Sequence, residues 1–242
     1  MNRPGDLLTM LAKRRSGWLI PLAVFFVTAC LSALVLAYYF APARPGRADE
    51  EPAPTDATRV ISLSVGSQEL RIPANYILMA GARRGGSMEE IALIAMLPDL
   101  QGYTLGAAPD LTSNAPDSRV VRIVLKSGNP VLPEQERIER IYLPQVEDMK
   151  GKPGPFGLRQ YVFRADSGYH DQDLFVGATD AGPMALLCVK IAPDAASPSC
   201  MRDLPIGDAL SLSYRFKRAH LGEWHKIDTS LRARLAEFSA PR

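Results

Sequence analysis

The longest apolar stretch runs from Trp18 to Phe40, 23 residues without a charged side chain. As a helix rising about 1.5 Å per residue it would reach roughly 35 Å, enough for a hydrocarbon core of about 30 Å. The pattern therefore predicts one transmembrane helix over residues 18–40. Trp18 at one end and Tyr38, Tyr39 and Phe40 at the other suit the two interfacial aromatic belts.

Downstream the pattern changes to short segments that alternate or are β-rich, at 59–65, 68–72, 119–126, 136–143, 158–164, 174–178, 184–191 and 209–217. The period of two is plainest from Val120 to Leu125 and from Leu210 to Phe216, and Gly66-Ser67 suits a tight hairpin between the first two segments. Near the C-terminus Leu221, Trp224, Ile227, Leu231, Leu235 and Phe238 recur at spacings of three and four, the stripe of an amphipathic helix. The predicted fold class is a single N-terminal transmembrane helix plus one mainly-β, α+β soluble domain of antiparallel sheet with a C-terminal amphipathic helix. One stretch stays open. Ser87-Met88-Glu89-Glu90 matches an S-x-x-E capping box, yet the apolar run Ile91 to Leu97 suits a buried strand as well as a short helix.

Four segments follow from this pattern. Residues 1–17 form a short piece that cannot fold alone, and 18–40 form the span. Residues 41–58, with Pro42, Pro45, Pro52 and Pro54, read as an extended tether with a ceiling near about 55 Å. The 184 residues of 59–242 suffice for one domain with its own core. There is no internal repeat.

Charge sets the expected orientation. Arg3, Lys13, Arg14 and Arg15 precede the span, whereas Arg44 and Arg47 behind it are diluted by Asp49, Glu50 and Glu51. Lys and Arg near a span stay cytoplasmic, so the N-terminus is expected inside and the domain across the membrane. Ala41-Pro42-Ala43 offers a rival, cleavage near residue 43 after a secretory signal; the run is much longer than the roughly 7 to 15 residues of a signal core, and two prolines crowd the site. High Ala, Arg and Pro with an export anchor point to the bacterial inner membrane and a periplasmic domain. With 47% hydrophobic and 22% charged residues and a net charge of +2, there is no basic excess to attract nucleic acid.

Cys30 lies in the span, which leaves Cys188 and Cys200 as the pair in the exported part. Such a pair reads as a disulfide stapling a hairpin, worth roughly 3 kcal/mol in the chain-entropy model, with two unrelated buried thiols as the alternative. No C-x-x-C is present, which argues against thiol exchange.

Candidate chemistry is sparse. Asp166, His170, Asp171 and Asp173 gather an imidazole and carboxylates between two strands, where they could bind a hard cation or move a proton, but the same residues make an ordinary polar turn. His220 and His225 are five apart in the expected last helix, about 140° around its axis, and cannot easily share a metal. G-x-S-x-G, C-x-x-C-H and phosphate-loop motifs are absent. No cofactor, metal or catalytic residue is expected. Two features point instead to partners. Arg83 and Arg84, in the Gly-rich loop 81–86, could meet anionic headgroups or an acidic partner, although a solvated loop is the simpler reading. In the span, Thr28, Ala29, Ser32, Ala33 and Ala37 form a small, weakly polar strip that would let a second membrane helix approach. The span carries no charge, which argues against ion relay work.

The leading expectation is a non-enzymatic, single-pass inner-membrane protein whose periplasmic domain binds another envelope protein as an accessory, assembly or scaffolding module. An immunity or inhibitor protein against a toxin or enzyme is the first alternative. A hydrolase or metal-dependent enzyme built on His170 and its carboxylates is the second.

Overall fold

The computed structural model describes residues 17–40, 51–128, 131–180, 182–193, 195–207 and 209–239. They fall into two units, one within Met1–Arg47 and one within Ala48–Arg242. The expected cytoplasmic segment up to residue 16 and residues 41–50 of the expected tether lie outside the described residues.

The first unit is helix α1, Leu19–Phe40. Its part Ile20–Tyr38 is long and apolar enough, by length and composition, to cross a membrane. Thr28 turns its hydroxyl inward, donating to the Val24 carbonyl at 2.9 Å. Within the small strip, that hydroxyl is satisfied by its own helix.

The second unit is mainly antiparallel sheet. β1 (Val60–Val65) and β2 (Gln68–Pro73) form a hairpin around Gly66, whose φ of 56° favours glycine. β3 (Gly86–Met88) runs parallel to β1 and completes a three-stranded sheet in the order β2-β1-β3. Gly85 leads into it at φ 77°, and a Cβ there would lie 2.6 Å from the Ser62 carbonyl oxygen, so the close approach to β1 requires glycine.

A larger sheet holds β4 (Glu90–Met96), β5 (Val120–Ser127), β6 (Lys152–Pro153), β7 (Arg159–Val162), β8 (Gln172–Thr179), β9 (Gly182–Val189), β10 (Ser199–Ile206) and β11 (Leu210–Lys217). Its order is β4-β5-β11-β10-β9-β8-β7-β6, with every neighbouring pair antiparallel. The open choice at 87–97 is settled as strand, since β4 pairs with β5 from Glu90 opposite Lys126 to Met96 opposite Val120. Ile91, Leu93 and Ala95 enter one core while Ile94 and Met96 enter another. A strand buried on both faces loses its period of two, which is why the sequence pattern was ambiguous there.

The segment 136–143, expected as a strand, is helical. After the short α2 (Ala108–Thr112), α3 (Glu134–Arg137) continues through a π turn, Ile138–Tyr142, and a 3-10 turn, Leu143–Gln145. Glu134 and Glu136 sit in the first turn, where carboxylates favour a helix start, and Glu136 pairs with Arg140 four residues on at 2.6 Å. Ile138 and Tyr142, also four apart, are both buried. β-propensity misled at these isoleucines, because the spacing, not the residue type, decided the element.

The main core joins Ile61, Leu63 and Ile72 of the small sheet to alternate residues of the large one, among them Ile123, Leu212, Tyr214 and Phe175. Helix α4 (Trp224–Ser239) closes it with Trp224, Ile227, Leu231, Leu235 and Phe238, the stripe legible in the sequence. Burying each such side chain contributes about 1.5–3 kcal/mol. Phe238 meets Tyr76 edge to face at 5.2 Å, fixing the helix end beside β2.

The opposite face of the large sheet is covered only toward its ends. Ile138, Tyr142 and Val146 lie on Phe163, Leu174 and Leu187, and Leu78, Tyr103 and Ala107 lie on Ile94, Met96 and Val120. Between these two covers, the outward positions of β5 from Arg122 on, of β11 and of β10 are half-buried or exposed. Within the stretch expected as tether, Pro52 bridges Met79 and the Ala53 amide donates to the Leu78 carbonyl at 2.9 Å, so the chain is fastened to this unit before Arg59.

Candidate protein interface

On β5, Val121, Ile123 and Leu125 turn into the main core, which sends Arg122, Val124 and Lys126 to the open face. On β11, Leu212, Tyr214 and Phe216 turn inward and Ser211, Ser213, Arg215 and Lys217 turn outward. The register then sets Arg122 directly opposite Arg215. Lys217 follows two residues later on the same side.

Neutral groups hold two of these cations. Lys217 Nζ donates to Asn114 Oδ1 and to Ser197 Oγ, each at 2.6 Å, and Arg215 Nη2 lies 3.4 Å from Met201 Sδ. Nearby carboxylates are engaged elsewhere: Asp110 with Arg119 at 2.6 Å, and Glu90 with Lys126 at 3.7 Å. Partial burial, and then the neighbouring Arg122 and Arg215, lower the pKa of Lys217. All three cations border a cavity of about 320 Å³ that Ser118, Ser199 and Asp110 also line.

A second charged cluster has the opposite character. Among the described residues, β9 and β10 pair only at Cys188–Cys200 and Leu187–Met201, and beyond that the strands part. Side chains of α3 fill the gap: Glu134 accepts the Ala185 amide at 2.7 Å, and Arg137 Nη2 donates to the Asp203 carbonyl. Arg202, 2% exposed, grips Glu134 with Nε at 2.9 Å and Nη2 at 2.6 Å, and reaches Asp228 with Nη1. Asp228 also accepts from Tyr214 Oη at 3.2 Å and from Arg232 Nε at 3.0 Å. Burial works against the charge on Arg202, but the bond to Glu134 and the surrounding negative groups outweigh it and raise its pKa. Burial, then Asp228, likewise raises the pKa of Tyr214, so its hydroxyl stays a donor. Cys188 and Cys200 are joined by a disulfide beside the point where the strands part.

The other residues singled out in the sequence are dispersed. Asp173 is buried and receives Arg218 Nη2 at 2.7 Å, whereas His170 and Asp171 are exposed in the preceding turn. His170 Nδ1 lies 3.0 Å from the Ser167 carbonyl, and Asp166 pairs with Arg164 at 3.2 Å. Among the described residues, no group of three or more His, Cys, Asp or Glu could hold a metal ion. His220 is not in the last helix but in the 3-10 turn Arg218–Glu223 before it, between Glu223 Oε1 at 3.2 Å and the Asp117 carbonyl at 3.1 Å. His225 is in α4, its ring edge-on to Trp224. Arg83 and Arg84 sit on a 3-10 turn, Gly81–Arg84, where Arg83 Nη1 donates to the Ile77 carbonyl at 2.9 Å. That tie makes Arg83 part of the local scaffold. Ala29, Ser32, Ala33 and Ala37 are exposed along α1.

Arg122, Arg215 and Lys217 went unnoticed in the sequence, although a signal was present. Each is a basic residue at an outward position of one of the two plainest alternating segments, and only strand pairing brings the two segments together.

No protein-family model matches the sequence, and no curated protein matches it. Among solved structures, the fold is similar to that of an immunity protein of the Stenotrophomonas maltophilia type IV secretion system, with a TM-score of 0.54 and 16% identity over 76% of this chain and 94% of that one. At this identity the likeness is one of fold. None of the comparisons indicates a catalytic family.

Proposed function

We propose that the chain is a membrane-anchored immunity protein, whose sheet domain binds and neutralises a protein toxin arriving at the envelope. The observation that carries this reading is the fold likeness to an immunity protein over 94% of that protein's length. Three features support it further. The apolar helix α1 supplies an anchor, and the basic flank before it favours an N-terminus in the cytoplasm and a periplasmic domain. The Cys188–Cys200 bond suits an oxidising compartment. The large sheet offers a polar face between two covers, as a binding domain requires.

Contact-dependent competition tests the proposal. A strain lacking the gene, grown against its toxin-secreting parent, is expected to be outcompeted, and the full chain supplied in trans restores survival. In-membrane crosslinking in the same culture should capture the toxin. Indifference to the parent, with no captured protein, would refute the proposal. A growth or envelope defect without any challenge would favour the scaffolding role instead.

A further inference from the structure

The floor between the two covers carries positive charge that no carboxylate among the described residues pairs with. Arg122 and Arg215 are exposed at directly opposed positions of β5 and β11, an arrangement in which like charges repel. Lys217 adds a third charge, fixed by the neutral oxygens of Asn114 and Ser197 rather than by a carboxylate. The acidic side chain that lines the same cavity, Asp110, accepts both Nε and Nη2 of Arg119 through one oxygen, at 3.1 and 2.6 Å. Ser197 accepts from Lys217, so its own proton is left to donate.

Guanidinium groups present paired N–H donors that match the two oxygens of a carboxylate, and a rigid sheet holds them in place before a ligand arrives. The cavity, about 320 Å³, admits a side-chain head with its backbone left outside. Its walls come from α2 and the turn after it on one side and from the β9–β10 connection on the other. A projecting side chain reaches such a recessed floor, whereas a flat lipid surface does not.

We infer that this cavity is the docking point for a carboxylate side chain, Asp or Glu, on the protein partner, with Arg122 and Arg215 as its clamp and Lys217 as the third charge. The inference rests on the protein-binding reading above and names the chemistry of the surface that the partner presents. A bound carboxylate cancels the repulsion between the two arginines.

The test uses the full chain in uncharged detergent micelles, titrated with fluorescently labelled hexaglutamate and, as a control, hexaglutamine. Hexaglutamate is expected to bind with a Kd below about 1 mM, more weakly as salt rises, and hexaglutamine is not. Arg122→Gln combined with Arg215→Gln should weaken binding at least about tenfold while leaving the unfolding midpoint unchanged or higher. A purely structural role for the arginines would lower that midpoint instead. The inference falls if hexaglutamate does not bind, if the double variant binds it equally well, or if inorganic phosphate or glycerol phosphate displaces it more readily than free glutamate does. Toxin capture separates the two readings: equal capture by wild type and double variant sinks the carboxylate site alone, and no capture by wild type sinks both.

Discussion

Arg202 and the pair Arg122–Arg215 are placed by neighbouring strands of one sheet, yet their charges are handled in opposite ways. Arg202 is 2% exposed and meets Glu134 and Asp228, with Tyr214 and Arg232 completing the second carboxylate. Arg122 and Arg215 lie on the outer face, opposed to each other, with no carboxylate among the described residues paired to either. A charge buried without compensation costs several kcal/mol, so folding demands the first arrangement. Water screens the second, and an uncompensated surface charge can therefore be kept for a partner. The difference divides charges that build the domain from charges held ready for binding.

The sharpest way to break this comparison is at the buried end. Arg202→Ala leaves Glu134 without its cation and Asp228 with Arg232 alone, and should destabilise the domain by about 3–5 kcal/mol, measured by denaturant unfolding of the full chain in micelles. Replacing all three by apolar residues, Arg202→Met with Glu134→Leu and Asp228→Leu, should recover much of that loss; a triple variant as unstable as Arg202→Ala would mean that the charges do more than fill the gap.

Next in size is the disulfide. Cys188→Ala with Cys200→Ala should cost roughly 3 kcal/mol, and hydrogen exchange at the amides of Ala185 and Arg202 should accelerate more than at β4 or β5. Uniform acceleration would count against a weak seam between β9 and β10.

Tyr214→Phe is smaller, about 1 kcal/mol at neutral pH for the lost bond to Asp228. Its pH dependence sharpens the picture. The folded-state pKa of Tyr214 lies above the unfolded value of about 10, so its contribution is complete below about pH 10 and is lost as pH rises further, when the unfolded chain releases the phenolic proton first. The variant should show a shallower fall in stability between about pH 9 and 12, and an unchanged slope would contradict the buried-donor role.

The smallest effect lies at the open face. Arg215→Gln should alter stability by no more than about 0.5 kcal/mol, in the stabilising direction, because it removes a like-charge pair. A loss above about 1 kcal/mol would show that Arg215 builds the sheet after all.

Legibility followed the range of the interaction. The apolar helix, the Gly66 hairpin, β5, β11 and the stripe of α4 were all visible, since each rests on spacing within one segment. β10 was missed because Pro205 interrupts it and Arg202 occupies an inward position, where an apolar residue is expected. The helical turn around Ile138 was mistaken for a strand on residue type. His170 and its neighbours drew attention as a cluster along the chain, but the fold sends Asp173 to Arg218 and leaves His170 outside. Nearness in sequence was a poor guide to a site.

By itself, then, the sequence determined the architecture: one apolar helix, a mainly antiparallel domain and a closing amphipathic helix, because hydrophobic periodicity is local and survives without knowledge of pairing. Only the tertiary structure decided which charges meet. Glu134 and Arg202 are 68 residues apart along the chain, and Arg122 and Arg215 are brought face to face solely by the register of β5 on β11. Pairing of distant strands depends on the packing of the whole sheet, and so does the separation of buried, neutralised charge from open, unneutralised charge.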